Sequence, residues 1–123
     1  MSTENIPSLI RLRQIDAVLE VTFAGGQIYE MSCEYLRVFS PSAEVRGHGG
    51  EGLICVPGKK YVNIKAVDSV GNYAIKIVFD DGHSSGLYTW DTLYDLGKNY
   101  EVYWQRYLDV LTDTGLSREP VKN

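Results

Sequence analysis

Cysteine is scarce in this chain. Only Cys33 and Cys55 occur among 123 residues, too few for a disulfide framework, and two thiols in an unexported chain read as reduced. Histidine is equally scarce, with His48 and His83 alone. Basic charge is also short. Twelve Lys and Arg stand against 16 Asp and Glu, a formal charge of −4, and no basic face suited to nucleic acid is visible. The strictly apolar runs are only a few residues long, far below the roughly 20 that a membrane-spanning helix needs. The opening MSTENIPSLIRL has neither the basic region nor the apolar stretch of a signal peptide, so the cytoplasm is the expected compartment. What remains is ordinary for a soluble globular domain. Hydrophobic residues make up 44% and charged residues 23%, enough for one core without disulfides or metal.

Period-two alternation dominates the first two thirds of the chain. SLIRLRQI sets Ile10 and Leu12 against Arg11 and Arg13, and AVLEVTF sets Leu19, Val21 and Phe23 against Val18, Glu20 and Thr22. AGG then QIYEM completes a hairpin signal. Ser32 is placed to cap a short helix near 32–40, which Pro41 ends. LICVPGKKYVNIKAV predicts strand, turn and strand around Pro57-Gly58. GNYAIKIVF is the clearest strand, and DDG at 80–82 is the next hairpin signal because Asp and Gly tolerate positive φ.

The period then changes. TWDTLYDLG predicts a short helix capped by Thr89 and stopped by Gly97. Tyr100, Tyr103, Trp104, Tyr107, Leu108 and Leu111 fall on one helical stripe near 100–112, which is expected to dock on the sheet, with Gly115 as its stop. The expectation is an α+β fold, mostly antiparallel sheet with hairpins, in a single domain over 8–115. The ends 1–7 and 116–123 are expected to be flexible.

Several motifs look chemical and fail on context. GHGGEG at 47–52 spells a dinucleotide fingerprint but leads into LICVPG rather than a helix, and the helix N-terminus is what holds a pyrophosphate. GLICVPGK has five residues between its glycines where a P-loop has four, and Lys60 stands where Ser or Thr binds magnesium. Catalytic non-haem iron needs two histidines and a carboxylate, yet Gly50 and Ser85 follow His48 and His83 where the carboxylate belongs. A tetrahedral zinc would require all four of Cys33, Cys55, His48 and His83 to converge, with no C-x-x-C pair among them. His83 is flanked by Asp80, Asp81, Ser84 and Ser85, but neighbours on a tight turn rarely point at one another as a catalytic triad must.

LRVFSPSAEVRGHG, VGNYAIKIVFDDGHSSGLYTWDTL and WQRYLDVL together resemble one family: small bacterial domains similar to the N-terminal domain of gamma-butyrobetaine hydroxylase. The likeness runs from about Ile10 to Leu111 and is most specific from Val70 to Leu93. In the hydroxylases this domain precedes the catalytic iron domain and holds zinc through three closely spaced cysteines, in a segment beginning LRDNCPCSDC, and one histidine of a DGH turn. Here those places hold Ser40, Ser42, Val45 and His83, with Pro41 retained. The resemblance implies the fold and one zinc ligand of four. Hydroxyl and isopropyl groups cannot replace soft thiolates, so no cofactor is expected. Some relatives are fused to P-loop ATPases of iron–sulfur cluster assembly, which implies an accessory role in iron–sulfur or metal-cofactor assembly, with such an ATPase as a candidate protein partner.

The expected function is a non-catalytic interaction module. Its partner surface is expected to comprise Asp80, Asp81, His83, Tyr88, Trp90 and His48, with the EVRGHGGEG loop. His83 is expected to be open to water and to serve as a pH-sensitive contact. Two alternatives remain. One is a metal-binding protein using His83 with His48, Cys33 or Cys55; the weaker one is an enzyme acting on a small molecule. Neither nucleic acid nor membrane is an expected partner.

Overall fold

A computed structural model describes residues 6–41, 56–84 and 86–120. Strands β1 (Pro7–Arg13), β2 (Val18–Phe23) and β3 (Ile28–Ser32) form one antiparallel sheet in that order. Strands β4 (Ile64–Val70), β5 (Ala74–Phe79) and β6 (Leu87–Thr89) form a second antiparallel sheet, also in order. Helix α1 (Cys33–Val38) follows β3, and α2 (Trp90–Lys98) and α3 (Tyr100–Thr114) end the chain's regular structure. This is the expected α+β class, with two small sheets in place of one. The strand expected to begin at Leu53 lies mostly outside the described residues, and Val56 and Pro57 are irregular.

The alternation in the sequence sets the registers. Leu12, Leu19 and Met31 lie opposite one another, as do Ile10, Val21 and Tyr29. A one-residue slip would turn this whole set outward, so burial of one face fixes the pairing. In the second sheet Ile75, Ile77 and Phe79 are buried, while Lys76 points to water. The two sheets are tied together by Gln14, whose Nε2 donates to the Ile64 carbonyl (3.1 Å), and by Asn63, whose Nδ2 donates to the Gln14 carbonyl (2.8 Å).

Helix α1 sits at the centre. The Ser32 hydroxyl caps it by accepting from Tyr35 N–H (3.1 Å). Cys33, Glu34, Tyr35, Leu36 and Val38 are all buried, so only Arg37 is partly open. A helix buried nearly all round belongs inside a core, and its one buried charge, Glu34, is met by Arg118. The aromatic stripe of α3 docks on this helix rather than on a sheet. Tyr35 meets Tyr100 with ring centroids 4.3 Å apart, and Phe39 stacks on Tyr103 at 5.8 Å. The Tyr35 hydroxyl donates to the Leu96 carbonyl of α2 (2.6 Å), so one side chain joins all three helices.

Two further expectations are corrected. Gly97 does not stop α2, which runs one residue further to Lys98 and is capped by Asn99. Glycine is needed there for packing: a Cβ on Gly97 would lie 2.5 Å from Cγ of Tyr29. The end expected to be loose from residue 116 is held over residues 117–119. Gly58 and Lys60 N–H groups donate to the Ser117 and Arg118 carbonyls (2.9 and 3.1 Å). Arg118 grips Glu34 with two hydrogen bonds of 2.8 and 2.7 Å, and its guanidinium lies 5.2 Å from the centroid of the half-buried Trp104. Gly115 does stop α3, in the left-handed conformation (φ 71°) that glycine adopts without steric cost.

Glu34 is only 5% exposed. Arg118→Ala should therefore destabilise the protein by about 2 kcal/mol, because it strands a desolvated carboxylate and uncovers the indole. Arg118→Lys should recover less than half of that, since an ammonium cannot make the paired contact. Denaturant unfolding of the three proteins measures both.

Candidate functional site

The DDG signal becomes a turn between β5 and β6. Gly82 N–H donates to the Phe79 carbonyl (3.2 Å) and Phe79 N–H to the His83 carbonyl (2.9 Å), with Gly82 at φ 93°. The regular ladder resumes only at Lys76 opposite Leu87, so His83, Ser84 and Gly86 lie outside the ladder, with His83 and Gly86 turned inward toward the end of α1.

Asp81 gathers that neighbourhood. Its Oδ2 accepts from Lys59 Nζ (2.7 Å) and Arg37 Nε (2.9 Å), and its Oδ1 accepts from His83 N–H (3.1 Å). Burial alone would raise its pKa, but the hydrogen bonds from Lys59, His83 and Arg37, with the Arg37 charge, outweigh it and bring the carboxyl down to about 2. Asp80 closes the turn on the other side, its Oδ1 accepting from Asn63 N–H (3.0 Å) and its own N–H donating to the Asn63 carbonyl (2.9 Å). Two chain segments distant in sequence, α1 and residues 59–63, are thus pinned to one turn.

His83 is not open to water. It is 9% exposed, and its Nε2 lies 3.0 Å from the Oγ of the fully buried Ser40. The close approach depends on Gly86, where a Cβ would lie 2.3 Å from that same oxygen and 3.1 Å from Pro41 Cδ. Tyr88, expected on the partner surface, is also fully buried, its hydroxyl donating to the Leu36 carbonyl. Trp90 is half-buried, with its indole N–H on the Asn72 carbonyl (2.7 Å). Of the expected surface residues, Asp80 and Asp81 face outward, and His48 lies outside the described residues. Sequence reasoning passed over Arg37 and Lys59, and only the family resemblance marks Ser40. No local signal marks them, since each acts on a residue at least 22 positions away.

The metal sets fare differently. Ser40 and His83, two of the four places that hold zinc in the hydroxylase domains, do come together; Ser42 and Val45 lie outside the described residues. At 3.0 Å the hydroxyl and imidazole bond directly, and a neutral hydroxyl is a poor zinc donor beside a thiolate. These residues do not fit a zinc site. Cys33, the other described ligand candidate, is fully buried; burial pushes its thiol up to about 11, against a lowering hydrogen bond from the Ile64 backbone. That holds it as a protonated thiol rather than a ligating thiolate. Its Sγ sits 3.6 Å from Asn63 Oδ1. Cys55 lies outside the described residues. Among the described residues no three His, Cys, Asp or Glu side chains converge on a metal-sized space.

A family model described as gamma-butyrobetaine hydroxylase-like, N-terminal, matches residues 10–94. No curated protein matches the chain. Among solved structures, two solution NMR structures are similar at 42% and 45% identity, with TM-scores of 0.81 and 0.80. The first covers 96% of this chain and 93% of its own, the second 100% and 93%. A crystal structure of a protein of unknown function from Acidithiobacillus ferrooxidans, placed in the DUF971 family, is 33% identical, with a TM-score of 0.66 over 79% of this chain and 98% of its own.

Two outcomes follow from the turn. Because the folded carboxyl of Asp81 titrates near 2, below the ordinary 3.8, its stabilising contribution is present above pH 4 and is lost as pH falls toward 2. At this partly open site it amounts to about 1 kcal/mol after screening by water. The difference in stability between wild type and Asp81→Asn should shrink over that window in acid denaturation. Ser40→Ala should cost about 1–3 kcal/mol by leaving the buried imidazole nitrogen short of a partner, whereas a strong chelator should leave the wild-type melting curve unchanged.

Proposed function

The chain belongs to the gamma-butyrobetaine hydroxylase-like N-terminal family, and from that premise we propose that it is a non-catalytic protein-interaction module. One observation carries the reading. The polar groups of the 80–83 turn are spent on holding the chain together, while one large aromatic side chain beside them is presented to solvent. Asp81 binds Lys59 and Arg37, Asp80 binds Asn63, and His83 meets Ser40. Beside them Tyr61 is 66% exposed.

The cleft at this place supports the same reading. It has a volume of about 270 Å³ and is lined by Lys59, Tyr61, Asp80, Asp81 and Pro120, among others. Small-molecule sites run from about 300 to 1,000 Å³ and are mostly apolar. A shallow recess below that size, rimmed by Lys59, Asp80 and Asp81 beside an exposed tyrosine, suits the anchor-and-rim pattern of a protein contact better. The partner surface of this proposal is therefore Tyr61, Lys59, Asp80 and Asp81, a revision of the set expected from sequence. By family resemblance the partner is an ATPase of iron–sulfur or metal-cofactor assembly, and the compartment is the cytoplasm. No helix among the described residues is long and apolar enough to cross a membrane.

Affinity capture from the native host, with quantitative comparison of wild type and surface variants, tests the reading. Tyr61→Ala and Asp80→Lys should each deplete a common captured protein about tenfold or more, the loss expected of one anchor residue. The melting temperature of Tyr61→Ala should stay near wild type, since Tyr61 is exposed; Asp80→Lys also loses the bond from Asn63 N–H, so its recovery is compared at a temperature where it is fully folded. Equal recovery by wild type and both variants would remove this surface from any partner contact.

A further inference from the structure

Among the described residues the two sheets have four edge strands, β1, β3, β4 and β6. Unpaired edges invite other chains, and natural proteins blunt them with proline, bulges, charge or shortness. Three of the four carry such devices. Strand β1 begins at Pro7, breaks register between Pro7 and Leu9, and bears Arg11 and Arg13. Strand β4 breaks register between Ile64 and Ala66, bears Lys65 and Asp68, and has its Ile64 carbonyl occupied by the Gln14 side chain. Strand β6 has three residues. Strand β3 carries the least: it is five residues long, in unbroken register with β2, without proline or lysine, its one charge, Glu30, is met by Arg13 of β1 (3.4 Å), and its Ile28 is 60% exposed.

The hydrogen-bond parity of β3 is fixed at both ends. Phe23 N–H donates to the Gln27 carbonyl and Cys33 N–H to the Ala17 carbonyl (both 2.8 Å). Bonded and non-bonded pairs alternate in an antiparallel ladder, so Tyr29 and Met31 bond to β2. The N–H and C=O groups of Ile28 and Glu30 therefore point away from it, off the open edge. A cleft of about 400 Å³ runs beside them, with the α2–α3 junction, Gly97 to Val102, as its other wall. Val102, 59% exposed, faces that cleft with Ile28 as a second apolar lip.

We infer that the outer edge of β3 is a docking site for one extended peptide segment of a partner protein, added as a fourth strand. The bonds on offer are two outward N–H and two outward C=O groups, which only an extended backbone matches in register. The apolar lips select a β-branched or other apolar side chain at the position between Ile28 and Val102. The second wall decides against pairing of two copies of this chain. A cleft of this volume holds about three extended residues, spanning roughly 10 Å, and the helix junction stands where a second folded sheet edge would have to enter. This site shares no residue with the turn proposed above, and either one stands without the other.

Titration of the ¹⁵N-labelled protein with the soluble peptide Ac-Lys-Val-Thr-Val-Lys-NH₂ tests it. The amide resonances of Ile28 and Glu30 should shift and become protected from hydrogen exchange, with smaller shifts at Val102. Glu30→Pro deletes one outward N–H while leaving the β2 ladder intact, as proline on an edge permits. It should weaken binding about tenfold, or about 1.4 kcal/mol. Val102→Glu, on the opposite wall, should weaken binding to a similar degree without touching β3, and it serves if the proline variant fails to fold. The inference is overturned by shifts centred on another edge, by no shift at millimolar peptide, by wild-type affinity in a folded variant, or by concentration-dependent dimers that protect β3.

Discussion

The structure depends on the burial of α1. Six residues make a helix far too short to persist alone, because nucleation costs more than a few backbone bonds return. It exists because nearly every side chain it carries is claimed by a different element. Tyr35 reaches α2 and α3, Glu34 reaches Arg118 beyond α3, and Arg37 reaches the β5–β6 turn. The Leu36 carbonyl takes the hydroxyl of Tyr88 from β6. Such a hub couples the parts: the two sheets share few direct bonds, and the helix between them supplies the rest.

The same economy governs the polar groups. A buried carboxylate or imidazole is costly unless it is bonded. Here Glu34 is met by a two-pronged guanidinium, and His83 by the Ser40 hydroxyl. In this chain direct hydrogen bonds and the Asp81 ion pairs join the end of α1 to the hairpin turn. The groups that look most chemical in the sequence are thereby absorbed into the fold. The exposed features are of a different kind: a tyrosine beside a shallow charged recess, and a strand edge left open beside a cleft.

Much of the fold was legible because it rests on local rules. Alternation in 9–13, 18–23 and 74–79 marks strands with one buried face, and the Asp-Gly signal at 81–82 marks the turn between β5 and β6. Ser32 and Thr89 announce two helix starts by side-chain capping, and Gly115 announces one end. Gly97 misled because glycine serves two purposes. The sequence shows only its freedom to end a helix, whereas its use here is to let Tyr29 approach within contact of the backbone. The tail from 117 misled for a related reason, since its polar composition hides partners in 58–60 and at Glu34.

The candidate site was legible only in part. The acids and the histidine of the turn stand out as a cluster, but sequence proximity does not say which way each side chain faces. His83 and Tyr88 turn inward and Asp80 outward, because the chain leaves the ladder after Phe79 and α1 offers hydrogen-bonding groups on the inner side. The sequence alone determined the class of fold, the strand faces, the helix starts and the poverty of metal ligands, all of which follow from residue type and short-range period. Tertiary structure alone decided that Arg37 and Lys59 belong to the turn, that α3 lies on α1, and that β3 keeps an open edge among the described residues. Those outcomes hinge on contacts between residues tens of positions apart, and such contacts leave no periodic trace in the chain.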